Sequence, residues 1–115
     1  MFHAYMLPIK NRLIKRTDFN NVYRKGAFFS EGPLSLKITP NEREIARIGF
    51  SIEKKFFKKA VLRNRMKRIL REAFQQNLEK LKKGVDIVVF YKKSEKNPDF
   101  KTILGLVEKI INKIK

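Results

Sequence analysis

Apolar side chains recur along this chain with two different periods, and the switches between them mark out its elements. In TDFNNVYRKG (17–26), Phe19, Val22 and Tyr23 stand at i, i+3 and i+4, one face of a short helix. Thr17 is its expected N-cap, Asp18 sits in the first turn where the helix dipole favours an anion, and Gly26 ends it. LSLKIT (34–39) alternates apolar and polar residues, so it reads as a half-buried strand between the turn signals Glu31-Gly32-Pro33 and Pro40-Asn41-Glu42. IARIGFSIE (45–53) reads as a second strand or a pair of short ones, with Gly49 marking a bulge or a close backbone approach.

Beyond a basic loop, Lys54 to Lys59, the pattern becomes helical from Ala60 to about Leu81, and Gly84 stops it. VDIVVFYKK (85–93) is β-branched and aromatic on both faces, as a central strand requires. A last helix opens with Asn97 as expected N-cap and Pro98 at the first helical position. Its stripe is Phe100, Ile103, Leu104, Val107, Ile110, Ile111 and Ile114. Residues 1–16 read as a basic segment, loosely ordered or extended. The order is helix, two or three strands, helix, strand, helix, with no internal repeat. It predicts an α+β single-domain sandwich, α-β-β-β-α-β-α, with a mostly antiparallel four-stranded sheet whose three helices cover one face and leave the other open. A length of 115 residues fits one domain, 1–115.

Charge changes this picture. The 28 Lys and Arg outnumber 11 Asp and Glu, a net charge of +17, which calls for a polyanionic partner, nucleic acid or an anionic membrane surface. Cysteine is absent, which excludes disulfides and thiolate metal sites and suits a reducing compartment. The single histidine, His3, lacks the convergent partners that a metal site or catalytic triad needs. The longest apolar run, Ile87 to Tyr91, is far below the ~20 residues of a membrane-crossing helix. The opening MFHAYMLPIKNRLIKR does not have the order of a signal peptide, so a cytoplasmic location is expected.

The charge is concentrated. Between Lys54 and Arg71 nine of eighteen residues are Lys or Arg and none is acidic. With Arg63 as the origin of a helical wheel, Lys67 falls at ~40°, Arg71 at ~80°, Asn64 at ~100° and Arg68 at ~140°; Arg65, at ~200°, flanks this stripe. Leu62, Met66, Ile69 and Ala73 fall between ~240° and ~300° and Leu70 at ~340°, while Phe74, at ~20°, lies at the edge of the stripe. Like charges at i, i+4, such as Arg63 with Lys67, cost a few tenths of a kcal/mol per pair. An external anion is the natural compensation. Arginine suits it because its planar fork grips phosphate with two hydrogen bonds. Asn64 either offers a neutral donor and acceptor to base edges or 2′-hydroxyls, or caps the helix.

Laid out in full, KKFFKKAVLRNRMKRILREAF (54–74) resembles the basic helix of the bacterial ribonuclease P protein family, which opens with Arg-Asn-Arg after Lys-Lys and Ala-Val. RLIKRTDFNNVYRKG, RIGFSIEKK and VDIVVFYKK are similar to that family's flanking segments in the same register, so the resemblance spans most of the chain. It implies an α+β fold with a left-handed β-α-β crossover around the basic helix, an exception to the usual right-handed rule. It also implies a subunit that binds a large catalytic RNA and the 5′ leader of precursor tRNA, assisting removal of that leader. The metals, magnesium foremost, would belong to the RNA-containing holoenzyme, and the protein alone would hold no cofactor. By the same resemblance, Arg63, Asn64, Arg65, Lys67, Arg68 and Arg71 form the RNA-facing motif, and Lys54, Lys55, Lys58 and Lys59 contact RNA phosphates from the loop. Phe19 and Tyr23, with Ser35 and Lys37 of the first strand, would line a cleft for the single-stranded leader. Partners are thus the catalytic RNA and precursor tRNA, with neither DNA nor membrane expected.

Three rivals compete. A polypeptide that cuts RNA itself would need clustered acids or a histidine base, and the sequence offers no such constellation. A membrane-surface helix would have to be the last one, which is only modestly basic, four Lys against Asp99 and Glu108. A ribosomal or ribosome-assembly protein shares the small size, the basic helix and the α+β fold, and stands as the alternative.

Overall fold

A computed structural model of the protein describes residues 7–114. Helix α1 (Arg16–Lys25) leads into a hairpin of β1 (Ala27–Glu31) and β2 (Leu34–Pro40), followed by β3 (Arg47–Ser51), α2 (Ala60–Gln76), β4 (Val85–Tyr91) and α3 (Phe100–Lys113). Short 3-10 turns occupy Ile9–Asn11 and Leu78–Lys80. The four strands form one sheet in the order β1-β2-β4-β3, with β1–β2 and β2–β4 antiparallel and β3 parallel to β4. Helix α2 is therefore the crossover between the two parallel strands.

Three strands precede α2, and the first of them, AFFSE, is the one that the apolar pattern does not mark; the segment around Gly49 is a single strand. Strand β1 folds back on β2 because Gly32, at φ 58°, and Pro33 make a two-residue turn.

Register sorts the side chains into two faces. Leu34, Leu36, Ile48, Ile87 and Val89 join Met66, Leu70, Ala73 and Phe74 of α2 and Ile103, Val107, Ile110 and Ile111 of α3 in the main core. The other face carries cross-strand rows: Ser30, Ser35, Phe90, Ser51; then Phe28, Lys37, Val88, Gly49; then Thr39, Asp86, Arg47. Helix α1 lies here, burying Val22 against Val88 and Leu13. The helices thus divide between the faces, two on one and α1 on the other, and α1 leaves only part of its face open. Val22 and Val88, both fully buried, explain why: a bare second face would leave them in water.

Several boundaries move from the sequence expectation. Residues 7–13 are held, not loose: Leu7 and Leu13 are buried, the Leu13 amide donates to Ile48 O (3.0 Å), and Asn11 Nδ2 donates to Ala46 O (2.7 Å). That docking carries the chain into α1 early, so Lys15 and not Thr17 is the N-cap. Helix α2 stops at Gln76, where Asn77 turns back to donate to Ala73 O (2.9 Å). Asp99 and not Asn97 caps α3, accepting from the Thr102 amide (3.3 Å) and hydroxyl (2.9 Å). His3 lies outside the described residues. No helix among the described residues is long and apolar enough to cross a membrane.

Candidate nucleic-acid interface

Two surfaces draw the predicted residues together. The first is α2 with the loop before it. Its core side is centred on Met66, Leu70, Ala73 and Phe74, all fully buried, with Phe74 edge-on to Phe50 at 5.9 Å between ring centroids. Phe74, expected at the edge of the cationic stripe, is core. Its burial swings the apolar face toward Arg63 and leaves Arg63, Lys67 and Arg71 half-buried, while Asn64, Arg65 and Arg68 face outward beside exposed Val61.

The loop is built by turning its two phenylalanines inward. Both amides, of Phe56 and Phe57, donate to Glu53 O, and Phe57 is buried with its ring 6.4 Å from that of Tyr91. This leaves Lys54, Lys55, Lys58 and Lys59 exposed, with the Lys55 ammonium over the half-buried Phe56 ring at 5.2 Å. Arg63 Nη1 donates to Phe57 O (2.8 Å) and Lys58 O (3.0 Å), which fastens the loop to the helix. Arg65 Nη1 reaches Lys96 O at 3.3 Å. The first turn of α2 has no acidic residue and no side-chain cap, so the positive end of the helix adds to the field of the loop lysines. Lys59 is the N-cap residue, and Asn64, a full turn into the helix, caps nothing.

The second surface is the open part of the α1 face of the sheet. Phe19 lies against Gly49, where an added Cβ would come within 2.4 Å of the Phe19 ring, so the close approach suggested by Gly49 is the approach of this aromatic. From Phe19 an aromatic series continues to Tyr23 (6.4 Å) and Phe90 (6.0 Å). Lys92 Nζ stands over the Phe90 ring at 5.5 Å and the Phe28 ring at 5.8 Å. This is a row of aromatic rings with a cation over two of them, suited to stacked, unpaired bases.

A family model for Ribonuclease P matches residues 7–115. The chain belongs to the ribonuclease P protein family. It is similar to the ribonuclease P protein component of a Pseudanabaena species, at 41% identity with 96% of each chain covered. Against that of Clostridium botulinum the identity is 37%, over 90% of this chain and 94% of the relative. Among solved structures, the ribonuclease P protein of Thermotoga maritima superposes with a TM-score of 0.81 at 31% identity, covering 90% of this chain and 97% of that one. The Staphylococcus aureus protein gives 0.80 at 29%, covering 91% and 95%.

Within this ribonuclease P protein, the four cleft residues taken from strand and helix do not share one role. Phe19 and Tyr23 belong to this row of rings. Ser35 is buried beside Phe90, and its hydroxyl has no hydrogen-bond partner among the described residues. Lys37 Nζ donates to Tyr23 O (3.0 Å), so this lysine ties down the C-terminal end of α1, where a cation is favoured by the helix dipole. Sequence reasoning missed Phe28, Phe90 and Lys92. Alternation in VDIVVFY was the available signal for Phe90, since Asp86, Val88 and Phe90 must share a face. Phe28 was hidden because β1 itself was.

Beneath α1, Arg47 joins the elements electrostatically. Its guanidinium donates twice to Asp86 (Nε to Oδ1 2.9 Å, Nη2 to Oδ2 2.7 Å) and once to Asp18 Oδ2 (3.3 Å), while Asn41 Nδ2 also donates to Asp86 Oδ1 (2.7 Å). The paired Asp86 carboxylate raises the arginine pKa above its ordinary value, against burial, which lowers it.

Proposed function

We propose that this protein is the RNA-binding subunit of ribonuclease P, which assists endonucleolytic 5′ maturation of tRNA. It binds the catalytic RNA through the 54–59 loop and the outward side of α2. Lys54, Lys55, Lys58, Lys59, Asn64, Arg65 and Arg68 meet RNA directly, with Arg63, Lys67 and Arg71 at the margin of that face. The 5′ leader of precursor tRNA lies along the row of Phe19, Tyr23, Phe90 and Phe28, where bases stack and Lys92 meets a phosphate.

The observation that carries this reading is the run of nine cations without an acid, fastened to one side of the fold by Arg63, in a protein that also exposes a row of aromatic rings on the α1 face of its sheet. Such a combination serves a partner that is structured in one part and single-stranded in another. Catalysis and its magnesium ions belong to the RNA. The site of action is the cytoplasm.

The test is cleavage of precursor tRNA by a ribonuclease P RNA at low magnesium, with and without the protein. Stimulation by the complex and no cleavage by protein alone are expected. Unchanged cleavage with the protein present would refute the subunit role, and clean cleavage by protein alone would refute its non-catalytic part.

A further inference from the structure

Strand β1 is an outer strand of the sheet, and its free side belongs to neither RNA surface. The hairpin register fixes which of its peptide groups point outward. The Lys92 amide donates to Pro33 O (2.9 Å), so Pro33, Ser35 and Lys37 direct their peptide groups toward β4, while Leu34, Leu36 and Ile38 direct theirs toward β1. Their partners Glu31, Phe29 and Ala27 are thereby engaged, and the peptide groups of Phe28 and Ser30 face away from the sheet. The ring of Phe28 belongs to the α1 face, but its peptide group lies on this edge.

One of these outward groups is taken up from within the chain. Lys113 Nζ, in the last turn of α3, donates to Ser30 O (2.6 Å) and pairs with Glu31 Oε1 (2.9 Å). The Phe28 amide, the Phe28 carbonyl and the Ser30 amide have no hydrogen-bond partner among the described residues. Ala27, Phe28 and Ser30 are exposed, and Phe29 and Glu31 are half-buried, so the strand is open to solvent. Unpaired N–H and C=O groups at two-residue spacing on an outer strand are a template for one more strand.

The surroundings narrow the occupant. Residues 26–36 carry a single charged side chain, Glu31, in a chain that is 34% charged. The cations beside the edge come from α3: Lys113 and, one turn earlier, the exposed Lys109, whose charge also reaches Glu31. A polynucleotide has no ladder of N–H and C=O groups to match this edge, and a second copy would bring its own +17 charge against it. A peptide bearing carboxylates meets both demands. Its backbone completes the ladder, and its acidic side chains meet the two lysines.

We propose that the outer edge of β1 docks an extended, acidic peptide segment of a protein partner as a further strand of the sheet. An amide of the peptide replaces Lys113 on Ser30 O, and Lys113 and Lys109 hold the peptide's carboxylates. This surface stands apart from the function proposed above, because it uses no side chain assigned there to RNA.

The probe is the blocked peptide Ac-Glu-Val-Glu-Val-Glu-Val-NH2, titrated into the ¹⁵N-labelled full chain at constant ionic strength. Ac-Glu-Pro-Glu-Pro-Glu-Pro-NH2 is the control, equal in charge but without the alternate N–H groups. In the free protein the Phe28 and Ser30 amides should exchange fast with solvent and the Phe29 and Glu31 amides slowly. The first peptide should give saturable shifts centred on β1 and slow exchange at Phe28 and Ser30, and the proline peptide should bind roughly tenfold more weakly or less. Ser30→Pro removes one outward N–H without touching the β1–β2 ladder and should weaken the first peptide about as much. Ser30→Thr keeps that N–H and should bind as the wild type does. Equal binding of the two peptides by the wild type, or no slowing at Phe28 and Ser30, would overturn the proposal whatever Ser30→Pro does to folding. Slowing that grows with protein concentration in the absence of peptide would assign the edge to a second copy, and slowing by oligouridylate but not by the first peptide would assign it to RNA; either overturns it as a peptide site.

Discussion

Phe28 and Phe19 stand on the same face of the sheet but carry different structural duties. Phe28 is 55% exposed on the edge strand β1, whereas Phe19 is wedged onto Gly49. Phe28→Ala should therefore leave stability within ~0.5 kcal/mol and weaken precursor tRNA, not mature tRNA, by up to the ~1–3 kcal/mol of a stacked base. Paired binding curves for the two RNAs check this, and equal losses would make Phe28 a bystander. Phe19→Ala should lose both stability and precursor binding. Tyr91 offers a test by pH. Its hydroxyl donates to Glu95 Oε2 (3.1 Å), and burial first, then the Glu95 charge and that hydrogen bond, raise its pKa above the ordinary value. The unfolded chain ionises this tyrosine near pH ~10, before the folded one does, so its contribution is complete below ~10 and is lost as pH rises beyond it. Tyr91→Phe should then show a smaller fall in urea midpoint between about pH 9 and 11 than the parent protein. Parallel curves would exclude this linkage.

At the scale of elements, the Arg47 network decides how firmly α1 sits. Asp86 is 4% exposed, so Arg47→Met would strand a buried carboxylate that only Asn41 still serves, at a cost of about 3 kcal/mol. Asp18→Asn removes the outer, longer contact and should cost under ~1 kcal/mol. Chemical unfolding of both variants measures the contrast. None of this network was legible in the sequence, because Arg47, Asp86 and Asp18 meet only through register and helix docking. The helices and the central strand were legible, because Phe100 to Ile114 keeps a strong helical period and VDIVVFY is β-branched and aromatic on both faces. Strand β1 was not, since AFFSE is five residues whose apolar pair, Phe28 and Phe29, breaks alternation, and its pairing to β2 is a tertiary choice. The angular reading of α2 failed at Phe74 for a similar reason. Wheel angles say which residues are neighbours, but Phe50 on a distant strand says where the buried arc ends.

Across the whole molecule, the +17 charge makes assembly a matter of counterion release. If about five lysines and arginines of the 54–71 run contact phosphate, log affinity for RNA should fall against log salt with a slope of roughly −3.5 to −4.5. A slope near zero, measured by filter binding across salt concentrations, would contradict a charge-driven interface. The N-terminal segment has a separate consequence at this scale. In the order β1-β2-β4-β3, strand β3 is an outer strand whose free side would offer unpaired peptide groups to any passing strand. Leu13 takes up the Ile48 carbonyl, and Arg12 bridges to Ile48 in parallel. A chain starting at Ile14 would unmask this edge, and at high concentration it should associate with copies of itself, visible as a rising sedimentation coefficient. Residues 7–13 thus keep the β3 side of the sheet from templating growth.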